Sequence, residues 1–161
     1  MAFFREIEGP IRKFAARVAP AGTDPEDLAA EALARAYARW HRLRLLPYRR
    51  AWVFRVAANL ACDRARHRAA ASRSPHEDRL GDGVRPATDV IVERETLRRA
   101  LVSLPRRQRE AVVLRYMCAV PLKDAAEAMS VSAETVKTHC ERGLAELRRI
   151  LGPSFEEACD A

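Results

Sequence analysis

Residues 121–151 read PLKDAAEAMSVSAETVKTHCERGLAELRRIL, two short helical patterns with almost nothing between them. Pro121 suits a helix start, and Leu122, Ala125, Ala126 and Met129 recur at helical spacing to make one apolar side. Ser130-Val131 forms the turn and Ser132 is placed to cap the next helix, whose inward stripe is Val136, Cys140, Leu144 and Leu147. This spacing fits a helix-turn-helix, in which small Ala126 lets the helices approach and Val136 fills the angle between them. The outward face of the second helix carries Glu134, Lys137, Thr138, Glu141 and Arg142, with Ser132 and Thr135 at its start. In a major groove such side chains reach base edges and phosphates. The plain alternative is a helical hairpin with a solvated charged face. Two positions stand out. Ser130 occupies a turn position where glycine is common and must bear any positive φ at some strain. Gly143, inside the second helix, is expected to weaken it by up to about 1 kcal/mol relative to alanine.

Outward from this unit, strand signals are nearly absent and helical spacing recurs, so the expectation is an all-α chain of five or six helices. The first covers about residues 2–18 and is expected to break near Gly9-Pro10. Thr23 or Asp24 caps the second, with Pro25, Glu26 and Asp27 in its first turn; its stripe is Leu28, Ala32, Leu33, Ala36, Tyr37 and Trp40. The third runs over about residues 50–70. Residues 69–89, AAASRSPHEDRLGDGVRPATD, are rich in Gly, Pro, Ser and Asp and read as a linker. Helical signals resume at Asp89, break at Pro105, and lead into the two-helix unit. The division is two small helical domains, 1–70 and 89–152, joined by a flexible linker, 71–88, with a short acidic tail, 153–161.

The 161 residues are nearly half apolar, enough for a packed core, and the formal charge of +7, most of it arginine, favours a polyanionic partner, nucleic acid before membrane. No apolar run approaches the roughly 20 residues that span a bilayer, and the start shows no cleavable signal, so the expected location is cytoplasmic, with no membrane insertion. Cys62, Cys118, Cys140 and Cys159 are far apart with no CxxC pair, and His139 points to a different helix face from Cys140. Reduced, mostly buried thiols are the reading, with no metal and no cofactor. His41, His67, His76 and His139 are scattered and most suited to the surface, and no spacing supports a catalytic grouping or a phosphate loop, so an enzyme is disfavoured.

In the third helix Val53, Val56, Ala57 and Leu60 point one way, while Arg55, Asn59, Cys62 and Arg66 point nearly opposite. An arginine-flanked asparagine on an exposed face suits a nucleic acid: arginine binds phosphate or stacks on a base, and the amide offers both donor and acceptor. A solvent-facing polar residue is the bland reading of Asn59, as core is of Trp52. In the second helix the side with Asp27, Glu31, Ala34 and Arg35 would repel DNA through its acids and fits a protein partner better.

At this point the residues carry a resemblance. LPRRQREAVVLRYMCAVPLKDAAEAMSVSAETVKTHCERGLAELRRIL, 104–151, resembles the C-terminal domain of bacterial sigma factors of the extracytoplasmic-function group, within the sigma-70 family. DPEDLAAEALARAYARW, 24–40, resembles that family's polymerase-binding helix, and AWVFRVAANLACDRARHR, 51–68, its promoter-melting helix. The resemblance covers about residues 11–151, and two matches in the right order are far more specific than one helix-turn-helix. It implies that Asp27, Glu31 and Arg35 contact core RNA polymerase. It implies that Asn59 helps hold a base flipped from the non-template strand of the −10 element, with Trp52, Arg55, Arg64 and Arg66 around it. It implies that Ser132, Glu134, Thr135, Lys137, Thr138, Glu141 and Arg142 read the −35 element. Ala30 stands where the family usually carries glutamine, which puts an altered polymerase contact in view. Opening the duplex needs no hydrolysis, since capture of an unpaired base offsets an unstacking cost of a few kcal/mol. The partners implied are core polymerase and promoter DNA, and the linker would permit an anti-sigma protein between the two domains. The competing function is a stand-alone helix-turn-helix regulator on duplex DNA, which predicts a dimer on a two-fold operator; no dimerisation helix is evident.

Overall fold

The computed structural model of the chain describes residues 2–72 and 89–152. Among the described residues the elements are α1 (Ala2–Val18), α2 (Pro25–Ala38), α3 (Trp40–Leu43), α4 (Arg49–Ala71), α5 (Asp89–Ser103), α6 (Arg106–Val112), a π-helical turn (Val113–Met117), α7 (Leu122–Met129) and α8 (Ala133–Leu151). The all-α expectation holds, with more pieces than five or six. Among the added pieces are the single turn α3 and the π-helical turn, which extends α6 within what periodicity reads as one helix. Most of the expected linker, residues 73–88, and the tail, residues 153–161, lie outside the described residues.

The break expected near Gly9-Pro10 does not occur, because α1 runs through Pro10. An internal proline costs about 3 kcal/mol. Against it stands a buried stripe on both sides, Ile7, Ile11, Phe14, Ala15 and Val18. Each large apolar side chain in it contributes about 1.5–3 kcal/mol, so the stripe outweighs the proline. At α2 it is Asp24, not Thr23, that caps: the Glu26 N–H donates to Asp24 Oδ1 at 2.9 Å, with Pro25 in the first turn. Leu28, Ala29, Ala32 and Ala36 turn inward, and the small size of the three alanines lets α2 lie close against α1 and α4. Phe14 and Phe54 meet edge-on with centroids 5.4 Å apart, locking α1 to α4.

The C-terminal elements close around α8, whose inward residues are Val136, Cys140, Gly143, Leu144 and Leu147. Gly143 is a contact rather than a weak point. A Cβ there would lie 2.7 Å from Val112 Cγ2 and 3.3 Å from the Gln108 carbonyl oxygen, so only glycine permits α8 to approach α6 this closely. Ser130 ends α7 in the left-handed region at φ 56, ψ 46, as its turn position demanded. The Val131 N–H donates to the Ala126 carbonyl at 3.0 Å, satisfying one of the carbonyls a helix end leaves free.

The two groups of helices also pack on each other. α4 touches α5, α6, the π-helical turn and α7 as well as α1 and α2, and one apolar cluster runs from Ile7 and Leu28 through Ala58 and Ala61 to Leu101, Val113 and Leu147. The sequence reading pictured two bodies on a tether and did not foresee this face-to-face contact.

Candidate nucleic-acid interface

α8 begins at Ser132, whose extended backbone and side chain make the cap: its Oγ accepts from the Thr135 N–H at 3.1 Å and lies 2.8 Å from Thr135 Oγ1. Burying Val136, Cys140 and Leu144 fixes the helix's rotation, and Glu134, Lys137, Glu141 and Arg142 are left exposed on the outer side, with Thr138 half-buried. The structure therefore brings the whole expected set onto one surface. Ser132 and Thr135 are already engaged in the cap, so their hydroxyls hold the helix start in place. Lys137 Nζ pairs with Glu134 at 3.3 Å, and Thr138 donates to the Glu134 carbonyl at 3.1 Å. The ion pair is exposed, so it contributes little and yields easily to a phosphate.

α4 behaves differently from expectation. Arg55 and Asn59 are not free on an open face; both are half-buried where α4 meets α6 and α7, and Cys62 is buried outright. The reason is Glu110, a buried carboxylate that α6 brings up against α4. Asn59 Nδ2 donates to Glu110 Oε1 at 2.8 Å, while Asn59 Oδ1 is buried without a hydrogen-bond partner. Arg106 Nε and Arg107 Nη1 reach the same carboxylate at 3.1 Å and 3.2 Å, and Arg55 Nε lies 4.0 Å away. Arg55 also donates to the Ala128 carbonyl, and Arg107 to the Met129 carbonyl at 2.9 Å, near the end of α7. Burial alone would push the Glu110 carboxyl up. The hydrogen bonds from Asn59 and Arg106 and the charge of Arg55 outweigh that and hold it below the ordinary range. Burial pulls the Arg55 guanidinium down, against the pull of Glu110.

Trp52 is half-buried on the same helix, with the Arg39 guanidinium 5.8 Å from its ring centroid. Arg66 is exposed. Arg64 is held by Glu31 of α2 at 2.5 Å. The same Glu31 carries Arg35 at 2.6 Å, so Glu31 and Arg35, read as a polymerase surface, are tied to a residue read as a DNA contact. Burial would raise the Glu31 carboxyl, but the hydrogen bonds from Arg64 and Arg35 keep it below its ordinary value. Asp27 is exposed on the same side of α2, as is Ala30.

Sequence reasoning missed Glu110, Arg106 and Arg107. Their local signal was legible, since Arg106 and Arg107 stand four and three residues before Glu110 and share a helix face with it. Their reach to Asn59, 51 residues away in the chain, was not. Also unforeseen is Arg109, buried beside α4, which donates to the Leu104 carbonyl at 3.1 Å and whose Nε has no hydrogen-bond partner. Burial pushes the Cys62 thiol up despite Arg109 nearby, and pushes Cys118 up to about 12. Among the described residues no three His, Cys, Asp or Glu side chains are grouped to hold a metal ion, and no helix is long and apolar enough to cross a membrane.

Residues 3–71 match the family described as Sigma-70 region 2, and residues 94–159 match Sigma-70, region 4. The chain is 31% identical over 152 residues to the ECF RNA polymerase sigma factor SigM of Mycobacterium tuberculosis, covering 92% of this chain and 75% of that protein. It is 32% identical over 149 residues to the RNA polymerase sigma-E factor of Streptomyces coelicolor, covering 92% and 84%. Among solved structures, the fold is similar to that of the sigma factor RpoE in complex with the anti-sigma factor NepR from Bartonella quintana. The TM-score is 0.62 at 22% identity, over 94% of this chain and 96% of that one.

Proposed function

Because the chain belongs to the sigma-70 family, in its extracytoplasmic-function group, we propose that its two helical bodies divide a promoter between them, α8 on paired DNA at −35 and α4 on an extruded base at −10. As an RNA polymerase sigma factor, the chain recruits core polymerase to promoters and initiates transcription. The observation that carries the reading is the order of the two family matches. One covers α1–α4 and the other runs from within α5 through α8, which supports a division into a strand-capturing unit and a duplex-reading unit. A stand-alone duplex-binding regulator would have no use for the first.

On α8, Lys137 and Arg142 supply phosphate attraction and bidentate donors, while Glu134, Glu141 and Thr138 offer acceptors to base edges. Ser132 and Thr135 aim the helix start. On α4, Asn59 presents amide donor and acceptor to a flipped base, Trp52 borders that place, and Arg55 and Arg66 neutralise phosphate. Arg64, through Glu31, holds α4 at a fixed angle to α2. Core polymerase docks on the exposed side of α2 that carries Asp27, Glu31 and Arg35, where Ala30 shortens the contact. The protein acts in the cytoplasm, binds no cofactor, and catalyses no covalent step of its own; strand opening is a shift of population toward the form whose extruded base is bound. The solved relative was captured with an anti-sigma factor, and an inhibitor of that kind is proposed for this chain too.

Run-off transcription with core polymerase tests this. Core plus the chain is expected to open and transcribe a cognate promoter. Asn59→Ala is expected to impair strand opening, read by permanganate reactivity at −10, more than closed-complex binding. Absence of any transcript, or equal loss of both steps in the variant, would overturn the assignment.

A further inference from the structure

The face of α4 assigned above to the −10 strand is occupied in the free chain by the chain's own C-terminal body. Glu110 is only 1% exposed, and its partners come from both sides of the contact: Asn59 and Arg55 from α4, Arg106 and Arg107 from α6. A carboxylate offers this face what a nucleic acid would offer it, negative charge for Arg55 and an oxygen acceptor for the Asn59 amide. While α6 and α7 lie over Asn59 and Arg55, a nucleic acid cannot reach this face of α4.

We propose that the C-terminal body is a built-in competitor of −10 DNA: Glu110 latches onto Asn59 and Arg55, the free chain rests closed, and strand capture requires the two bodies to part. The inference rests on the reading of Asn59 given above.

Three features make the latch one that opens. Parting strands no charge, since Glu110 keeps Arg106 and Arg107 from its own helix. Closure carries unrelieved polar burdens: Asn59 Oδ1 and the Nε atoms of Arg55 and Arg109 are buried without hydrogen-bond partners, and all return to water on opening. The contact is also incompletely packed, because a cleft of about 420 Å³ lies between the bodies, walled by Ala58, Ala61 and Ala65 of α4 and by Leu101 and Val102 of α5. The charge balance makes Glu110 the keystone. Without it, Arg55 would face Arg106 and Arg107 with no anion between them, and both already depress the Arg55 guanidinium. Apparent affinity for single-stranded DNA scales with the open fraction, so the latch tunes it without touching the DNA.

The test uses the full chain, wild type against Glu110→Ala and the near-isosteric Glu110→Gln, with folding of each checked by circular dichroism. Small-angle scattering reads the closed state; fluorescence anisotropy reads binding of a labelled single-stranded oligonucleotide copied from the non-template −10 strand of a promoter active in the run-off assay. Wild type is expected to be compact. Glu110→Ala is expected to be more extended and to bind the oligonucleotide about tenfold tighter, equivalent to about 1.4 kcal/mol. Glu110→Gln, which keeps an acceptor for Asn59 but loses the charge, is expected to shift both readouts the same way by less. Folded variants that are as compact as wild type, or that open without gaining oligonucleotide affinity, would overturn the latch while leaving the sigma-factor assignment intact. If the run-off assay itself fails, scattering still judges closure on its own.

Discussion

Gly143→Ala separates what α8 wants as an isolated helix from what its packing permits. By helix propensity, alanine should stabilise α8 by about 1 kcal/mol. In the folded chain the new methyl would sit 2.7 Å from Val112 Cγ2 and 3.3 Å from the Gln108 carbonyl oxygen. Neither can yield cheaply: Val112 is buried and β-branched, stiff about its first torsion, and Gln108 presents backbone. Overpacking of this kind costs about 1–3 kcal/mol, so the net expectation is a loss of roughly 1 kcal/mol, up to about 2. Urea unfolding followed by circular dichroism reads it as a lower midpoint at unchanged slope. Val112→Ala should relieve the clash, so the double variant should be more stable than the two single losses predict, by a coupling of at least about 1 kcal/mol. A midpoint that rises in Gly143→Ala, or a double variant whose losses simply add, would refute the close-approach reasoning.

The remaining expectations concern the thiols and the DNA face. Cys118 is raised from an ordinary 9.0 to about 12 by burial, which cuts its thiolate fraction at neutral pH by about a thousand-fold. Peptide mapping after brief iodoacetamide treatment should find the half-buried Cys118 far less modified in the native chain than in urea, whereas native labelling as fast as a free thiol would contradict the raised pKa. Lys137→Ala and Arg142→Ala should each weaken −35 duplex binding by the holoenzyme and lower the slope of log affinity against log salt by about 0.9 per lost phosphate contact; an unchanged slope would remove that residue from the phosphate-contacting set. Ser132→Ala should cost about 1 kcal/mol of stability through loss of the α8 cap, seen as a lower urea midpoint, and no change would mean that the 3.1 Å bond from the Thr135 N–H contributes nothing.

How far the sequence carried depends on whether a feature is local. The α8 stripe, the Ser132 cap, an α2 cap at Thr23 or Asp24 and the turn at Ser130 all follow from neighbours within a few residues, and each was legible. Pro10 misled because the rule that proline breaks a helix is local, while the buried stripe that overrides it belongs to the packing of α1 against α2 and α4. Gly143 misled in the same way, its reason lying on α6. The candidate site divides along the same line. The residues on α8 are exposed because the helix buries its other side, which periodicity reveals. The α4 face is covered by Glu110, which no periodicity places there, and Arg64 meets Glu31 only through the angle between α4 and α2.

The most direct test of the central claim is site-specific crosslinking in the holoenzyme on its promoter, with a photoreactive residue at position 52, about two helical turns before Asn59 on the same side of α4, and another at Arg142. The account predicts adducts from position 52 to an unpaired non-template base at −10, appearing only as the duplex opens. It predicts adducts from position 142 to paired DNA at −35 throughout. Adducts from position 52 to double-stranded DNA alone would contradict it.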